Sequence, residues 1–217
     1  MPRFVVLDTE TTGVGAEDRI IDLYAIVIDP RSGETGASLR LRCNPQRPSH
    51  PKALAKHGIT DAQAQAAPLF AKQAPQLLDF LANSCIIAHN AAFDARMLAQ
   101  ELSRLDPGMM DRLSLKFACT MLAAQEILDY KRWPSLDLLC DMFAVDRSKR
   151  AELHAAQLDV ELLVQIIPKL GRAYQEARSL GKTTLGSHSK QLFDYSTFTS
   201  VTPANAASTP KPTLTQA

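Results

Sequence analysis

Four apolar residues near the start of the chain, Phe4-Val5-Val6-Leu7, run without interruption and stop at an acidic residue, Asp8. A short continuous apolar run that is rich in β-branched residues is typical of a strand covered on both faces. The run therefore predicts a central strand in a sheet that carries helices on both sides.

The pattern downstream predicts an α/β domain with a mixed five-stranded sheet flanked by helices. Two further strands, expected at 20–28 and 39–43, follow the first as a meander, and later strands then alternate with helices. Asn90 is expected to cap one of these helices through its side-chain oxygen. The remaining expected elements are strands at 85–88 and 117–120 and helices at 90–103, 121–128, 135–143 and 152–170.

The 217 residues suffice for one domain of ordinary size. We predict a domain over residues 1–172 and a disordered tail over residues 173–217, where Ser, Thr, Pro and Ala dominate from about Gly181. Within that tail, Gln191-Leu192-Phe193-Asp194-Tyr195 is an isolated apolar and aromatic segment.

Charge and cysteine usage narrow the class of protein. A formal net charge of +1 provides no overall basic field, so any nucleic-acid binding must be local. The four cysteines are far apart and form no C-x-x-C pair, which predicts neither a disulfide framework nor a zinc site. The chain shows no secretory signal and no apolar run near the ~20 residues of a membrane helix, so a cytoplasmic protein is expected.

Two carboxylates, Asp8 and Glu10, lie two residues apart where the first predicted strand meets a turn with Thr11 and Thr12. Side chains two apart on a strand point to the same side, so both carboxylates could reach one cation. Oxygen ligands of this kind suit Mg²⁺. An acidic turn capped by threonines is an alternative that this motif alone leaves open.

Two further motifs place acidic residues near helix starts. His89-Asn90-Ala91-Ala92-Phe93-Asp94 follows a predicted strand, and in open α/β sheets strand ends commonly form sites, although Asp94 also suits a helix N-terminus for purely structural reasons. In His154-Ala155-Ala156-Gln157-Leu158-Asp159, Asp159 lies among core-facing positions, where a buried carboxylate needs a partner. His154 has the pKa range of a general base, and a surface histidine with a salt-bridged Asp159 is the structural alternative.

Taken together, the order and spacing of these three motifs resemble the DEDDh branch of the DnaQ-like 3'→5' exonucleases. The resemblance covers about residues 3 to 170. Three further stretches look like those of the epsilon, or proofreading, subunits of bacterial DNA polymerase III: Lys56 to Asp61, Ser135 to Cys140 and Asp146 to Arg150.

The resemblance implies an RNase H-like fold and a hydrolase that releases 5'-mononucleotides from DNA 3' ends. It implies two divalent cations, Mg²⁺ or Mn²⁺, and His154 as general base. It also implies that His57 contacts the substrate, and it makes Thr11 and Thr12 candidates to bind the 3' end, while Lys52 stands where these subunits carry a glutamate. The cations would be held by four carboxylates: Asp8, Glu10, Asp94 and Asp159.

Three functional hypotheses follow. The first is an exonuclease for single-stranded or frayed DNA 3' ends in proofreading, replication or repair. The second keeps the chemistry and changes the substrate to RNA, as in the RNase T and oligoribonuclease groups. The third is a protein that mainly tethers a polymerase. Residues 191–195 loosely resemble a peptide that docks on the bacterial sliding clamp, and a random apolar segment is the alternative.

Overall fold

The computed structural model describes residues 3–113, 115–151 and 155–194. The strands are β1 (Arg3–Thr11), β2 (Ile20–Ile28), β3 (Thr35–Arg42), β4 (Ser84–Ala88) and β5 (Lys116–Cys119). The helices in these ranges are α1 (Pro51–His57), α2 (Asp61–Gln65), α3 (Phe70–Leu81), α4 (Ala91–Leu105), α5 (Met109–Leu113), α6 (Thr120–Leu128), α7 (Leu136–Met142), α8 (Ala156–Ser179) and α9 (Ser187–Phe193). A 3₁₀ turn, Ser148–Ala151, precedes α8.

The five strands form one mixed sheet in the order β3-β2-β1-β4-β5. Strands β1, β2 and β3 are antiparallel neighbours, whereas β4 is parallel to both β1 and β5. The predicted mixed sheet, with the first strand at its centre, is confirmed. Strand β1 is longer than predicted, because pairing with β2 continues past Asp8, and Glu10 lies opposite Asp22.

Successive residues of β1 serve opposite faces of the sheet, as the two-residue period of a strand requires. Phe4 and Val6 join a core that includes residues of α6, α7, α8 and α9. Val5 and Leu7 join a second core that includes residues of α3, α4 and α5. Both faces of the sheet are therefore covered.

Helix α4 begins after Asn90, close to the predicted start, but the predicted side-chain cap is wrong. Asn90 adopts the left-handed conformation with φ 64°, and its side chain makes no capping hydrogen bond. Its carbonyl instead accepts a hydrogen bond from the N–H of Phe93 at 2.8 Å. A tight connection from β4 into α4 thus replaces the side-chain cap, since asparagine tolerates this backbone region better than most residues.

The domain extends beyond the predicted boundary at residue 172. Helix α8 continues to Ser179, and α9 packs against the domain with Leu192 and Phe193 buried. The rings of Phe193 and Tyr174 lie 5.7 Å apart between centroids. For residues 173–194 the prediction of disorder is therefore wrong, because composition does not show that two apolar side chains complete a core on α8. Residues 195–217 lie outside the described residues.

A single carboxylate holds the start of α9. Glu126 on α6 accepts hydrogen bonds from the backbone N–H groups of Gly186, His188 and Ser189 at 3.0, 3.3 and 2.8 Å. The unpaired N–H groups of a helix start favour an anion in this way. The Gln191 side chain also donates to the carbonyl of Phe117 at 2.8 Å, so α9 is fixed to both α6 and β5.

The cysteine side chains lie inside the fold. All four cysteines are free and buried. Burial raises the pKa of the Cys43 thiol to about 12, so that thiol is unreactive at neutral pH. In the parts of the chain that the structure describes, none of the helices combines the length and the apolar character needed to cross a bilayer.

We expect Leu192→Ala to lower the free energy of unfolding by about 2 to 5 kcal/mol, the usual cost of a buried leucine truncated to alanine. The same substitution at Leu180, which is 69% exposed, is the matched control and should change the stability by less than about 0.5 kcal/mol. Urea denaturation followed by circular dichroism measures both. Equal stability of the two variants would show that α9 does not contribute to the core.

Candidate active site

Four carboxylates from three elements meet at the carboxyl ends of β1 and β4. Asp8 and Glu10 are two residues apart on β1, on the sheet face that α8 covers. Asp159 lies in the first turn of α8, and Asp94 lies in the first turn of α4. Asp94, Asp159 and Glu10 all act electrostatically on Asp8, so the four predicted acidic residues form one cluster.

The cluster carries more negative charge than its surroundings compensate. Burial raises the pKa of Asp8 well above its ordinary value, and the charges of Asp94, Asp159 and Glu10 raise it further. Burial, together with the charges of Asp159 and Asp22, raises the pKa of Glu10 to about 7, although Lys56 opposes the shift. When these carboxylates are ionised, they need a nearby cation to offset their negative charge.

Asp94 is oriented by its neighbour on β1. The Thr9 hydroxyl donates a hydrogen bond to Oδ1 of Asp94 at 2.8 Å. Thr9 faces the opposite side of the sheet from Asp8 and Glu10, because it lies between them on a strand. Burial nevertheless raises the pKa of Asp94 to about 7 against this hydrogen bond.

Among the described residues, Asp159 is the one carboxylate of the cluster that forms a salt bridge. Nε and Nη2 of Arg150 donate to its two oxygens at 2.5 and 2.9 Å, in the paired geometry that arginine forms with carboxylates. Arg150 also binds Asp137 on α7 through Nη1. The structural alternative for Asp159, a salt bridge, is thus realised, and Arg150 must release Asp159 before that carboxylate can ligate a metal.

The cluster fits divalent cations by its chemistry and by its charge. Its donors are all carboxylate oxygens, the ligands that Mg²⁺ and Mn²⁺ prefer. The raised pKa values of Asp8, Glu10 and Asp94 reflect first their burial, and a bound cation would offset the cost of ionising them there. Within residues 3–113, 115–151 and 155–194, no three carboxylate, imidazole or thiol side chains are already arranged to hold a metal ion.

His57 is buried at the end of α1 with one unused donor. Its Nδ1 accepts a hydrogen bond from the N–H of Ile59 at 3.0 Å, so in the neutral ring the proton is on Nε2. This Nε2 is buried without a hydrogen-bond partner among the described residues. Burial lowers the pKa of His57, and the charges of Arg42 and Lys56 lower it further, so the ring is neutral at pH 7.

The two threonines that were substrate candidates hold the turn after β1. The Thr11 hydroxyl donates to the carbonyl of Gly13 at 2.7 Å, and that of Thr12 donates to Asp18 at 2.8 Å. The N–H of Thr12 donates to the carbonyl of Arg19. Both hydrogen-bond donors of Thr12, its hydroxyl and its backbone N–H, are therefore used within the turn. His154, the candidate base, lies outside the described residues, two positions before α8 begins.

Three basic residues near the cluster had no role assigned from the sequence. Lys56 lies close enough to lower the pKa of Asp8, Glu10 and Asp94. Arg150 pairs with Asp159. The sequence signals for it were the need of a buried carboxylate for a partner and the resemblance of Asp146 to Arg150 to the epsilon subunits. His89 is kept neutral, since burial lowers its pKa to about 4, and its ring bridges Thr120 and the carbonyl of Pro134 at 3.0 Å each.

Comparison with known proteins assigns this arrangement to a family. A family model described as an exonuclease matches residues 5–167. The DNA polymerase III epsilon subunit of Pasteurella multocida is 35% identical over 170 residues, which are 76% of this chain and 66% of that protein. That of Escherichia coli is 34% identical over 171 residues, 76% of this chain and 69% of that protein. The chain thus spans about two thirds of the length of these relatives.

Solved structures agree on the fold. Exonuclease X in complex with 5' overhanging duplex DNA superposes with a TM-score of 0.62 at 21% identity, over 88% of this chain and 98% of that one. Escherichia coli exonuclease I in complex with a dT13 oligonucleotide gives 0.67 at 20% identity, over 88% of this chain and 46% of that one. These likenesses show an RNase H-like fold. The chain belongs to the exonuclease family, and the resemblance seen in its sequence motifs is confirmed.

We expect the metal-free protein to be more stable at pH 6 than at pH 8. Glu10 and Asp94 have ordinary pKa values of 4.5 and 3.8 and titrate at about 7 in the folded state. The folded state thus binds more protons between these values, and the stability present below about pH 4 is lost as the pH rises through 7. Thermal unfolding in EDTA should show a midpoint several degrees lower at pH 8. Asp94→Asn should reduce the difference, and an unchanged difference in that variant would contradict the assignment.

Arg150→Gln should lower the free energy of unfolding in EDTA by about 3 to 5 kcal/mol, because it leaves a buried carboxylate unpaired. Arg147→Gln is the matched control: Arg147 also pairs with an aspartate, Asp141, but at the surface, where the loss should be small. Urea denaturation measures both variants. Similar losses in the two would mean that the Arg150 pair is not a buried interaction. Added Mn²⁺ should restore more stability to Arg150→Gln than to Arg147→Gln.

Proposed function

We propose that this chain is a metal-dependent 3'→5' exonuclease that shortens DNA from single-stranded or frayed 3' ends and releases 5'-mononucleotides. The observation that carries the proposal is the cluster of Asp8, Glu10, Asp94 and Asp159 at one edge of an exonuclease-family domain. A DNA phosphodiester is itself anionic, so this cluster serves hydrolysis only with cations. The zinc-bound structure of Escherichia coli exonuclease I with single-stranded DNA, a neighbour in fold, supports a divalent ion.

In the reaction, a water oxygen attacks phosphorus and the bond from phosphorus to the 3' oxygen of the preceding nucleotide breaks. Two divalent cations, Mg²⁺ or Mn²⁺, supply when bound the charge that activates this water and stabilises the leaving oxygen. Asp8 and Glu10 would hold them from β1, and Asp94, held by Thr9, and Asp159, once freed from Arg150, would complete the donor set. The Thr9 contact orients Asp94 before substrate enters, and Arg150 holds Asp159 until a cation replaces it.

The proton of the attacking water needs an acceptor. We propose His154, which precedes the helix of Asp159 by two residues, and this role stays a prediction. His57 is proposed to donate its free Nε2–H to a phosphate oxygen of the terminal nucleotide. The neutral state of His57 suits donation without a proton exchange near pH 7. For Thr11 and Thr12, the internal hydrogen bonds favour shaping of the turn over direct substrate binding.

The relatives support DNA as substrate and a polymerase as partner. The matching epsilon proteins are named as subunits of DNA polymerase III. Proofreading within such an assembly is therefore the favoured role, and the RNA and tethering hypotheses become outcomes of the test below. The clamp-docking hypothesis loses support, because Leu192 and Phe193 are buried in the domain. Four free cysteines fit a reducing compartment, and a cytoplasmic location stays a prediction.

The test is degradation of DNA and RNA oligonucleotides of one sequence, labelled at either end, with Mg²⁺, Mn²⁺ or EDTA. We expect stepwise shortening from the 3' end, faster on DNA, that requires metal and falls by at least about 10³-fold in Asp8→Asn and about 10²-fold in His154→Ala. Asp79→Asn is the matched control, because Asp79 is exposed on α3 and should leave the rate unchanged.

Two outcomes would redirect the proposal. Faster degradation of RNA than of DNA would assign the chain to RNA 3'-end trimming. No cleavage of either polymer with any metal would favour the tethering role. In both cases the folding of each variant is checked by circular dichroism, so that loss of activity is not mistaken for loss of structure.

A further inference from the structure

The loop that joins α6 to α7, residues 129–135, presents aromatic and basic side chains together. Tyr130, Lys131, Arg132 and Trp133 are consecutive and all exposed. Trp133 is 69% exposed and Tyr130 is 39% exposed, and they are the two aromatics among the large apolar side chains that are exposed in the described residues. Exposed aromatic side chains beside basic ones are the combination that single-strand binding surfaces use.

The end of this α6–α7 loop is firmly held. Pro134 is buried, and its carbonyl accepts a hydrogen bond from Nε2 of His89 at 3.0 Å. Ser135 then caps α7 by accepting a hydrogen bond from the N–H of Leu138 at 3.2 Å. Trp133 thus projects from an anchored backbone, which lowers the entropy lost when it binds.

The same anchors connect the loop to residues that adjoin the carboxylate cluster. His89 directly follows β4, whose carboxyl end lies at the same sheet edge as that of β1, because the two strands are parallel. Asp137, two residues after Ser135, binds Arg150, which in turn binds Asp159. The loop is thus linked to the region of the cluster at two points, through His89 and through Asp137.

Charge explains why such a loop is needed. The chain has a net charge of only +1, and the carboxylate cluster itself is acidic, so the overall charge does not attract a nucleic acid to the site. Lys131 and Arg132 have no hydrogen bond or ion pair with another residue in the described ranges, so their charges are available to phosphates. Proteins hold single strands by combining aromatic and basic side chains: bases stack on the rings, and cationic groups follow the backbone.

We propose that the α6–α7 loop is a binding site for single-stranded nucleic acid, which holds the nucleotides that precede the 3' end. Trp133 and Tyr130 stack on bases, and Lys131 and Arg132 neutralise the adjoining phosphates. The inference rests on the proposed function for its direction of substrate entry. Stacking needs free base faces, so the site favours single strands over paired ends.

Trp133 is the only tryptophan of the chain, so its fluorescence reports on the loop alone. The experiment titrates the full chain with a thymidine oligonucleotide of ten nucleotides in EDTA, which prevents cleavage. We expect the oligonucleotide to quench Trp133 fluorescence saturably. In the double variant Lys131→Gln/Arg132→Gln, the slope of log affinity against log salt concentration should become about 1.4 less steep, because two phosphate contacts are lost. Trp133→Ala should weaken binding at least about five-fold by fluorescence anisotropy of a labelled oligonucleotide, and Trp133→Phe should restore most of it.

Leu180→Ala is the control for a lost exposed apolar side chain, because Leu180 follows the far end of α8, about 36 Å along a 24-residue helix from its start. It should bind as wild type does. A second assay uses the p-nitrophenyl ester of thymidine 5'-monophosphate with Mn²⁺, a substrate too short to reach the loop. The loop variants should hydrolyse it at the wild-type rate while their KM for the oligonucleotide rises.

The outcomes separate this site from the proposed function. If wild type cleaves the ester but Trp133 is not quenched, or if Trp133→Ala degrades and binds the oligonucleotide like wild type, the loop site is overturned. If wild type cleaves neither substrate, but the oligonucleotide still quenches Trp133 and binds more weakly to the loop variants, the loop site stands and the exonuclease proposal fails. Equal quenching by duplex and single strand would contradict the stacking role.

Discussion

The structure depends on the pairing of β1 along both of its edges. An antiparallel partner on one side and a parallel partner on the other keep the backbone groups of β1 bonded in a buried position, where an unpaired group would be costly. The apolar residues at the start of the strand supply both cores. The pairing with β2 then carries the strand on from Asp8 to Thr11, where two of the four side chains are acidic. One strand thus serves first as the centre of the fold and then as the base of the site.

Placing carboxylates at the end of a buried strand has an electrostatic cost. Burial raises the pKa values of Asp8, Glu10 and Asp94, and neighbouring carboxylates raise those of Asp8 and Glu10 further. Asp159 forms a salt bridge with Arg150. The metal-free protein therefore keeps its site partly protonated and partly paired with arginine. This state explains how an acidic cluster survives in a folded domain before cations arrive, and why the site is not a ready-made metal cage.

Helices on the two faces determine which further groups reach the cluster. Helix α4 brings Asp94 to Thr9 on one face, and α8 brings Asp159 to the other, so the site bridges both sides of the central strand. Helix α7 connects through Asp137 and Arg150 to the same centre, and the loop before α7 carries the exposed aromatic and basic side chains. At the opposite end of α8, α9 closes the core through Leu192 and Phe193. The domain thus continues well past the last of the three acidic motifs, which ends at Asp159.

The sequence by itself determined the mixed sheet, its central strand and the four carboxylates, because hydrophobic periodicity and motif spacing are local properties that survive in the fold. Its errors concern contacts between distant segments. Asn90 was expected to cap α4 with its side chain and instead turns the backbone; residues 173–194 were expected to be disordered and instead form the end of α8 and the buried helix α9. Only the folded chain pairs Arg150 with Asp159, leaves the Nε2 of buried His57 without a hydrogen-bond partner among the described residues and ties the loop of Trp133 to His89. No local pattern encodes these, since each depends on which residues from elsewhere in the chain fill the space around a side chain.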